Sequence, residues 1–267
     1  MPVVAIYLVS DLHGAVDDLK KAVPEHSTLL VLGDLINFLD YFSMTGILTE
    51  VFSIEAVQEV AKLRAEGDYE QARSVIAERS AGREDEIRME IGERVHAEYE
   101  ALFAALPDPT YLILGNVDAP PVAHKLALET PAVVEADTKI FTLGGELFGF
   151  VGGALPTPMH VAGEITEEEM RDKIDRLGEV DVLCTHIPPA VPELCYDTVA
   201  GKLELGSRDI LRYIEEVQPR LAYFGHVHQP LVSSMQIGRT RCVNVGYFRA
   251  TKRPFRHDPK GDRWPTA

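Results

Sequence analysis

Cysteine is scarce: Cys184, Cys195 and Cys242 in 267 residues are too few and too scattered for a disulfide framework, and a reducing cytoplasm is the compartment they fit. No apolar run approaches the roughly 18 residues that a membrane span needs. Met1-Pro2 runs straight into an apolar strand, without a basic n-region or a small-residue cleavage site, so the start reads as lacking a secretory signal. Positive charge is also in deficit, with 26 Lys/Arg against 42 Asp/Glu and a net charge of −16. That balance disfavours non-specific binding to nucleic acid, which needs basic surface. It leaves an anionic substrate open, because bound cations can invert the local field. Repeats and low-complexity segments are absent. A composition of 46% hydrophobic and 25% charged residues excludes a disordered or collagenous chain, and the length is enough to bury a sizeable core.

The acid is unevenly spread. Residues 37–106 carry 15 Asp/Glu and 7 Lys/Arg, a net of −8 and half the excess. Arg249–Arg263 carries 6 Lys/Arg and 2 Asp, which reads as a solvated strip, with an anion patch as the alternative.

Val3–Val9 and Leu29–Leu32 read as short buried strands. Between them Gly14–Val23 has helical spacing through Ala15, Leu19, Ala22 and Val23 and stops at Pro24, giving a βαβ start. From about 50 to 106 the pattern is helical only. Val51, Ile54, Val57 and Ala61 recur at three- and four-residue steps. Asp68 with Gln71 resembles a capping box, and Ile87, Ile91, Val95, Tyr99, Leu102 and Leu106 share one face before Pro107. The expectation is an insertion of two or three helices, serving as a cap over a site, as a homodimer surface, or merely packing on the core. Strand patterns resume at 111–114, 139–143, 147–151, 181–185, 221–224, 231–235 and 241–245. Thr166 to Glu169 forms a capping box ahead of Met170, Ile174 and Leu177, and Ser207 caps another helix. The alternation predicts a single α/β domain over 1–267, with two mixed sheets and helices outside.

The residue types that end the strands carry the functional signal. Val9 leads to Asp11 and His13, Leu32 to Gly33-Asp34, and Leu114 to Gly115-Asn116. Thr185 leads to His186, and Phe224 to Gly225-His226-Val227-His228. In open α/β sheets ligand sites collect at the carboxyl ends of strands. Four of the nine histidines stand at such ends, with two aspartates and one asparagine, and the preceding glycines allow tight turns and close backbone approach. Mixed imidazole and carboxylate donors suit Mn, Fe, Zn, Co or Ni better than Ca or Mg.

In order, these blocks resemble the calcineurin-like metallophosphoesterase family, whose pattern is D-x-H, G-D, G-N-H-D/E, H and G-H-x-H. They run from Asp11 to His228. The resemblance implies a four-layer α/β/β/α sandwich with two metal ions at one end of the sheets. It places Asp11, His13, Asp34 and His228 on the first metal and Asn116, His186 and His226 on the second, with Asp34 bridging. Asp34, Asn116 and His186 carry over as catalytic positions. Two divalent ions against two aspartates leave about +2 to attract phosphate. Ions about 3.5–4 Å apart can lower the pKa of a shared water to near 7. The reaction implied is attack of a metal-bound hydroxide on phosphorus.

One block departs from the pattern: Asn116-Val117-Asp118 lacks the histidine usually assigned to the transition state or the leaving group. Valine can do neither, and Asp118 is then expected to be structural. The family branch with an apolar residue here is similar to phosphodiesterases, so the reading is a dinuclear-metal phosphodiesterase acting on a small phosphorylated substrate. A phosphomonoesterase or nucleotide pyrophosphatase, and a non-catalytic scaffold of the same fold, are the alternatives. A nuclease is disfavoured because the acidic helices would repel a long polyanion. His124 and His160, each near a proline-containing loop, are candidates to replace the missing acid, with ordinary exposed histidines as the plainer reading. Gly152–Pro156 is either a rim loop or a strand exit, Asn37 a turn residue or a substrate contact, Cys184 a core thiol, and Asn244-Val245-Gly246 a structural turn.

Overall fold

In a computed structural model, which describes residues 4–40, 43–158 and 161–259, the chain begins with β1 (Ile6–Val9), α1 (Val16–Ala22) and β2 (Thr28–Leu32). Four helices follow: α2 (Ile47–Val51), α3 (Ile54–Ala65), α4 (Tyr69–Ser80) and α5 (Glu84–Phe103). Then come β3 (Thr110–Ile113), α6 (Pro120–Glu129), β4 (Val133–Glu135), β5 (Ile140–Leu143), β6 (Glu146–Val151), α7 (Glu167–Arg176) and β7 (Val182–Thr185). The remainder is α8 (Pro192–Cys195), the small hairpin β8 (Tyr196–Asp197) and β9 (Lys202–Leu203), α9 (Arg208–Val217), β10 (Leu221–Phe224), β11 (Ser234–Ile237), β12 (Thr240–Asn244), α10 (Phe248–Thr251) and β13 (Phe255–Arg256).

Two mixed sheets result. The first has the order β13-β1-β2-β3-β4 and the second β11-β12-β10-β7-β6-β5. Their central strands are parallel, while β13, β11 and β5 pair antiparallel at or near the edges. Central strands are apolar on both faces, because each sheet has a helix layer on one side and its partner sheet on the other. Ile6 and Leu8 of β1, with Leu30 and Leu32 of β2, point between the sheets at Phe148, Phe150, Cys184 and Tyr223. Val9, Leu29 and Val31 point outward at Leu19 of α1, Tyr99, Leu102 and Phe103 of α5 and Leu126 of α6. On the far side Leu183, Ala222 and Phe224 meet Met170 and Ile174 of α7 and Ile210 and Ile214 of α9. This is the expected α/β/β/α arrangement, and each fully buried large side chain contributes roughly 1.5–3 kcal/mol.

Sequence-level caps hold where they were read. The Thr166 side chain accepts from Glu169 N–H and Glu169 answers to the Thr166 N–H, while Ser207 and Asp68 accept from the N–H groups of Ile210 and Gln71. The helical segment holds α3, α4 and α5 within 50–106, with the short α2 starting ahead of them at Ile47. The strand expected at 231–235 lies instead at 234–237. Leu231 and Val232 donate their N–H groups to Tyr196 and Glu193, so they serve the α8 loop and not the sheet. All three cysteines are buried and free. Cys184 lies in the core as expected, and burial pushes the Cys242 thiol up to about 12. Among the described residues no helix is long and apolar enough to cross a membrane.

Candidate metal centre

The seven candidate ligands lie just past the carboxyl ends of their strands, on loops that are bonded to each other. Asp11 N–H donates to Gly33 O (3.1 Å), His13 N–H to Asp34 O (3.0 Å) and Gly225 N–H to His186 O (2.9 Å). Asp11, His13, Asp34 and His226 adopt φ values of 56°, 40°, 54° and 67°, a region that non-glycine residues enter at a cost of order 1–3 kcal/mol. The cross-bonding of the loops holds them there. Gly33 is required twice over: its φ is 94°, and a Cβ would sit 2.6 Å from both Gly115 N and His186 Nδ1.

The seven side chains converge in two groups. Asp11, His13 and His228 form one, and Asp34, His186 and His226 the other, each with donor atoms within 4.8 Å of one another. Asn116 joins the second, its Oδ1 lying 3.0 Å from His186 Nε2 and 3.0 Å from His226 Nδ1. Asp34 stands between them, with Oδ1 3.5 Å from His186 Nε2 and Oδ2 3.9 Å from His13 Nε2.

The outer bonds orient the rings. His13 Nδ1 lies 3.3 Å from Ile36 O and His186 Nδ1 lies 2.8 Å from Leu32 O. A carbonyl can only accept, so these nitrogens carry a proton and each Nε2 is turned inward. His186 Nε2 thereby faces the amide oxygen of Asn116. Asp11 Oδ2 accepts from His226 N–H at 3.0 Å, but Asp11 Oδ1 is buried without a hydrogen bond; His228 Nε2 is 3.5 Å away. An orphaned buried acceptor costs about 1–3 kcal/mol, and more when charged. A cation among these atoms removes that penalty, so the donor set fits divalent metal.

Electrostatics agree. Burial, with the neighbouring His228, holds His13 down at about 4, and burial with His186 holds His226 at about 3. Both are neutral donors at neutral pH. Burial pushes Asp11 up, yet the surrounding imidazoles outweigh it and its carboxyl stays below the ordinary range. Burial and the Asp11 charge push Asp34 up. Two carboxylates crowded in one dry site need positive charge close by.

Asp118 is fully buried and accepts four hydrogen bonds: from the N–H groups of Asp34 (2.9 Å), Leu35 (2.9 Å) and Gly115 (2.7 Å) and from Tyr99 O–H (3.0 Å). Tyr99 in turn accepts from Ala119 N–H at 2.8 Å. The expectation that Asp118 is structural fits this role: it ties the Asp34 and Asn116 loops together and to helix α5. Burial and the adjacent Asp34 raise it to about 6, while the four donors that face it favour the carboxylate form. Val117 is half-buried, and its N–H donates to Asp34 Oδ1 at 3.1 Å.

Of the other candidates, His124 contacts Glu135 on β4 and joins neither group. His160 lies outside the described residues. The loop after Gly152 does reach the rim: Gly153 N–H donates to Leu114 O (2.8 Å) and Gly163 N–H to Asn116 O (3.0 Å). Arg249 is no solvated residue. Its guanidinium donates to the His13 carbonyl, to Asp40 (3.2 Å) and to Thr45 (2.9 Å), and the Asn37 amide oxygen, turned toward it, accepts at 3.2 Å. Tyr99, Tyr247 and the buttressing role of Arg249 had no motif to announce them.

A family model described as calcineurin-like phosphoesterase matches residues 4–230. No curated protein matches the chain. Among solved structures, TT1561 of Thermus thermophilus is 14% identical with a TM-score of 0.53, covering 96% of this chain and 99% of that one. A protein of unknown function from Aquifex aeolicus, AQ665, is 14% identical at 0.38, with 95% of each chain covered. A 5'-nucleotidase assignment from Staphylococcus aureus is 13% identical at 0.43, covering 91% of this chain and 48% of that one. The likeness to TT1561 bears on the fold alone.

Proposed function

Because the chain belongs to the calcineurin-like phosphoesterase family, whose members are metal-dependent phosphoesterases, we propose that it hydrolyses small phosphodiesters at a dinuclear centre. In this reading Asp11, His13, Asp34 and His228 hold one divalent ion, and Asp34, Asn116, His186 and His226 the other. The observation that carries it is the buried Asp11 Oδ1 without a hydrogen bond, in a cluster where the rings of His13 and His186 turn Nε2 inward. Mn, Fe or Zn suit these donors best, with Co and Ni as further members of the same class. Bound divalent ions supply Lewis acidity and a water of lowered pKa.

The chain's own residues do the rest. Ile36 O and Leu32 O keep the protons of His13 and His186 on the outward nitrogens, so that Nε2 can bind. Asp118 fixes the Asp34 and Asn116 loops in register. Val117 supports the diester reading: with no side-chain proton donor at that position, esters whose leaving groups need little protonation are favoured. The segment from α2 to α5, net acidic, favours a small substrate over a polyanion.

The test is metal analysis with parallel assays on bis-p-nitrophenyl phosphate and p-nitrophenyl phosphate. Diester cleavage that needs added metal, exceeds monoester cleavage, and falls at least a hundredfold in Asp34→Ala is the expected result. Preferential monoester cleavage would overturn the diester assignment. Folded protein that binds no divalent metal and cleaves neither ester would overturn the enzyme.

A further inference from the structure

His228 is held differently from His13 and His186. His13 and His186 are each anchored through Nδ1 to a carbonyl, whereas among the described residues the polar contacts of the His228 ring are to His13 Nε2 (3.3 Å) and Asp11 Oδ1 (3.5 Å), both inside the centre. Its side chain is 35% exposed, against 8% and 0% for the other two. A ligand ring without an outer hydrogen bond can rotate away, and such freedom lowers metal affinity.

What takes the place of that bond is an aromatic face. Tyr247 lies against His228 with ring centroids 3.9 Å apart and planes 8° from parallel. The same ring meets His13 edge-to-face at 5.7 Å and 86°, and His13 and His228 are themselves 5.2 Å apart at 79°. One phenol ring therefore walls both imidazoles of the first group.

Tyr247 is in turn well fixed. The Asn244 side chain accepts from Gly246 N–H (2.8 Å) and donates to Gly225 O (3.3 Å) and Val227 O (2.9 Å), so the turn before Tyr247 and the loop bearing His226 and His228 share one amide. Tyr247 bridges to Ser10 as a β-pair. Beyond it, Phe248 N–H donates to Ser10 O (3.1 Å) and Arg249 N–H to Asp11 O (3.2 Å), and the Phe248 side chain is buried in the outer core. The segment is laid along the metal loop itself.

We propose that Tyr247 is a positioning residue of the metal centre, the face of its ring holding His228 with Nε2 directed at the point shared with Asp11 and His13. This rests on the reading that those three residues share a divalent ion. It adds a residue beyond the segment 4–230 that the family model matches.

The test is a titration of metal-free full-length protein with Co(II), followed by visible d–d absorption and equilibrium dialysis. Tyr247→Phe, which keeps the ring, should bind two equivalents with the affinity and spectrum of the parent. Tyr247→Leu should weaken one of the two equivalents by about 10- to 100-fold and alter its absorption band, while leaving the other equivalent unchanged. If Tyr247→Leu does not fold by circular dichroism, Tyr247→Met, flexible and of similar bulk, is read in the same way. A parental isotherm and spectrum in the ring-less variant overturns the proposal, as does equal damage in Tyr247→Phe, which would assign the effect to the hydroxyl. A parent protein that binds no Co(II) overturns the reading of the centre, and the proposal with it.

Discussion

A single carboxylate, Asp118, shows how much of this centre depends on a residue that binds no metal in the proposed scheme. Three backbone N–H groups and one phenol converge on it. Asp118→Ala strands four donors in a buried site, and a stranded group costs about 1–3 kcal/mol, with water and relaxation recovering part. The expected loss is about 3 kcal/mol of stability, measured by urea denaturation of metal-free protein. Asp118→Asn should fare little better, because its amide NH2 would confront an N–H donor. A variant within about 0.5 kcal/mol of the parent, the range of an ordinary surface substitution, would show that the loops hold each other without it. Position 118 was readable as structural only through the absence of histidine at 117; its partner Tyr99, 19 residues earlier on a helix, offered a core-like spacing and no hint of its hydroxyl's task.

At the scale of elements, the helical segment divides in two. The C-terminal half of α5 belongs to the main body: Val95, Tyr99, Leu102 and Phe103 pack with β1 and β2. Helices α3 and α4 instead share a small cluster of their own, Val60, Ala72 and Val75. Such a satellite core should open independently of the sheets. Val60→Asp is expected to raise hydrogen exchange across 54–80 while leaving both sheets protected and metal uptake unchanged. Loss of metal uptake in that variant would mean that α3 and α4 are coupled to the centre. The periodicity of 50–106 predicted helices correctly, because amphipathic spacing is a local property. It did not fix their number, since the breaks at Phe52–Ser53 and Ala81–Arg83 depend on which neighbours each helix finds.

Across the whole molecule, the end of the sandwich away from any strand-end site is closed by a buried polar clasp. Arg220 of the β10 approach donates to both oxygens of Glu146 (2.9 and 3.0 Å) and to Asp258 O (2.7 Å). His257, beside β13 of the other sheet, lies 3.1 Å from Glu146 Oε2 and 3.2 Å from Tyr223 O–H. Burial pushes the His257 pKa down; Glu146 and Asp258 pull it up and Arg220 down. The folded protein therefore takes up this proton less readily than the unfolded chain. Its contribution to stability is intact above the unfolded value near 6.5 and is lost as pH falls below it toward the folded value. Urea midpoints of metal-free protein should drop between pH 7 and 5, and drop less in His257→Gln; equal slopes would exonerate the histidine. Bound metal would act on the same balance from the opposite end. At a concentration 100 times Kd, one ion adds about 2.7 kcal/mol, or roughly 5–10 °C in Tm for a chain of this size, a gain that a chelator should reverse in a thermal melt.

Residue order and strand ends were properties of the sequence by itself. Apolar runs of four or five residues ending in Asp11, Asp34, Asn116, His186 and His226 determine buried parallel strands whose carboxyl ends carry donors, because burial on both faces and tight glycine turns are local demands. Tertiary structure alone decided what holds those donors in place. Tyr99, Asp118, Asn244, Tyr247 and Arg249 act across separations that no periodicity encodes, and β13, two residues long, exists only because β1 offers it an edge. Candidate ligands can be read from residue type. The orientation of a candidate such as His228 is set, in the proposed scheme, by the ring the fold lays against it.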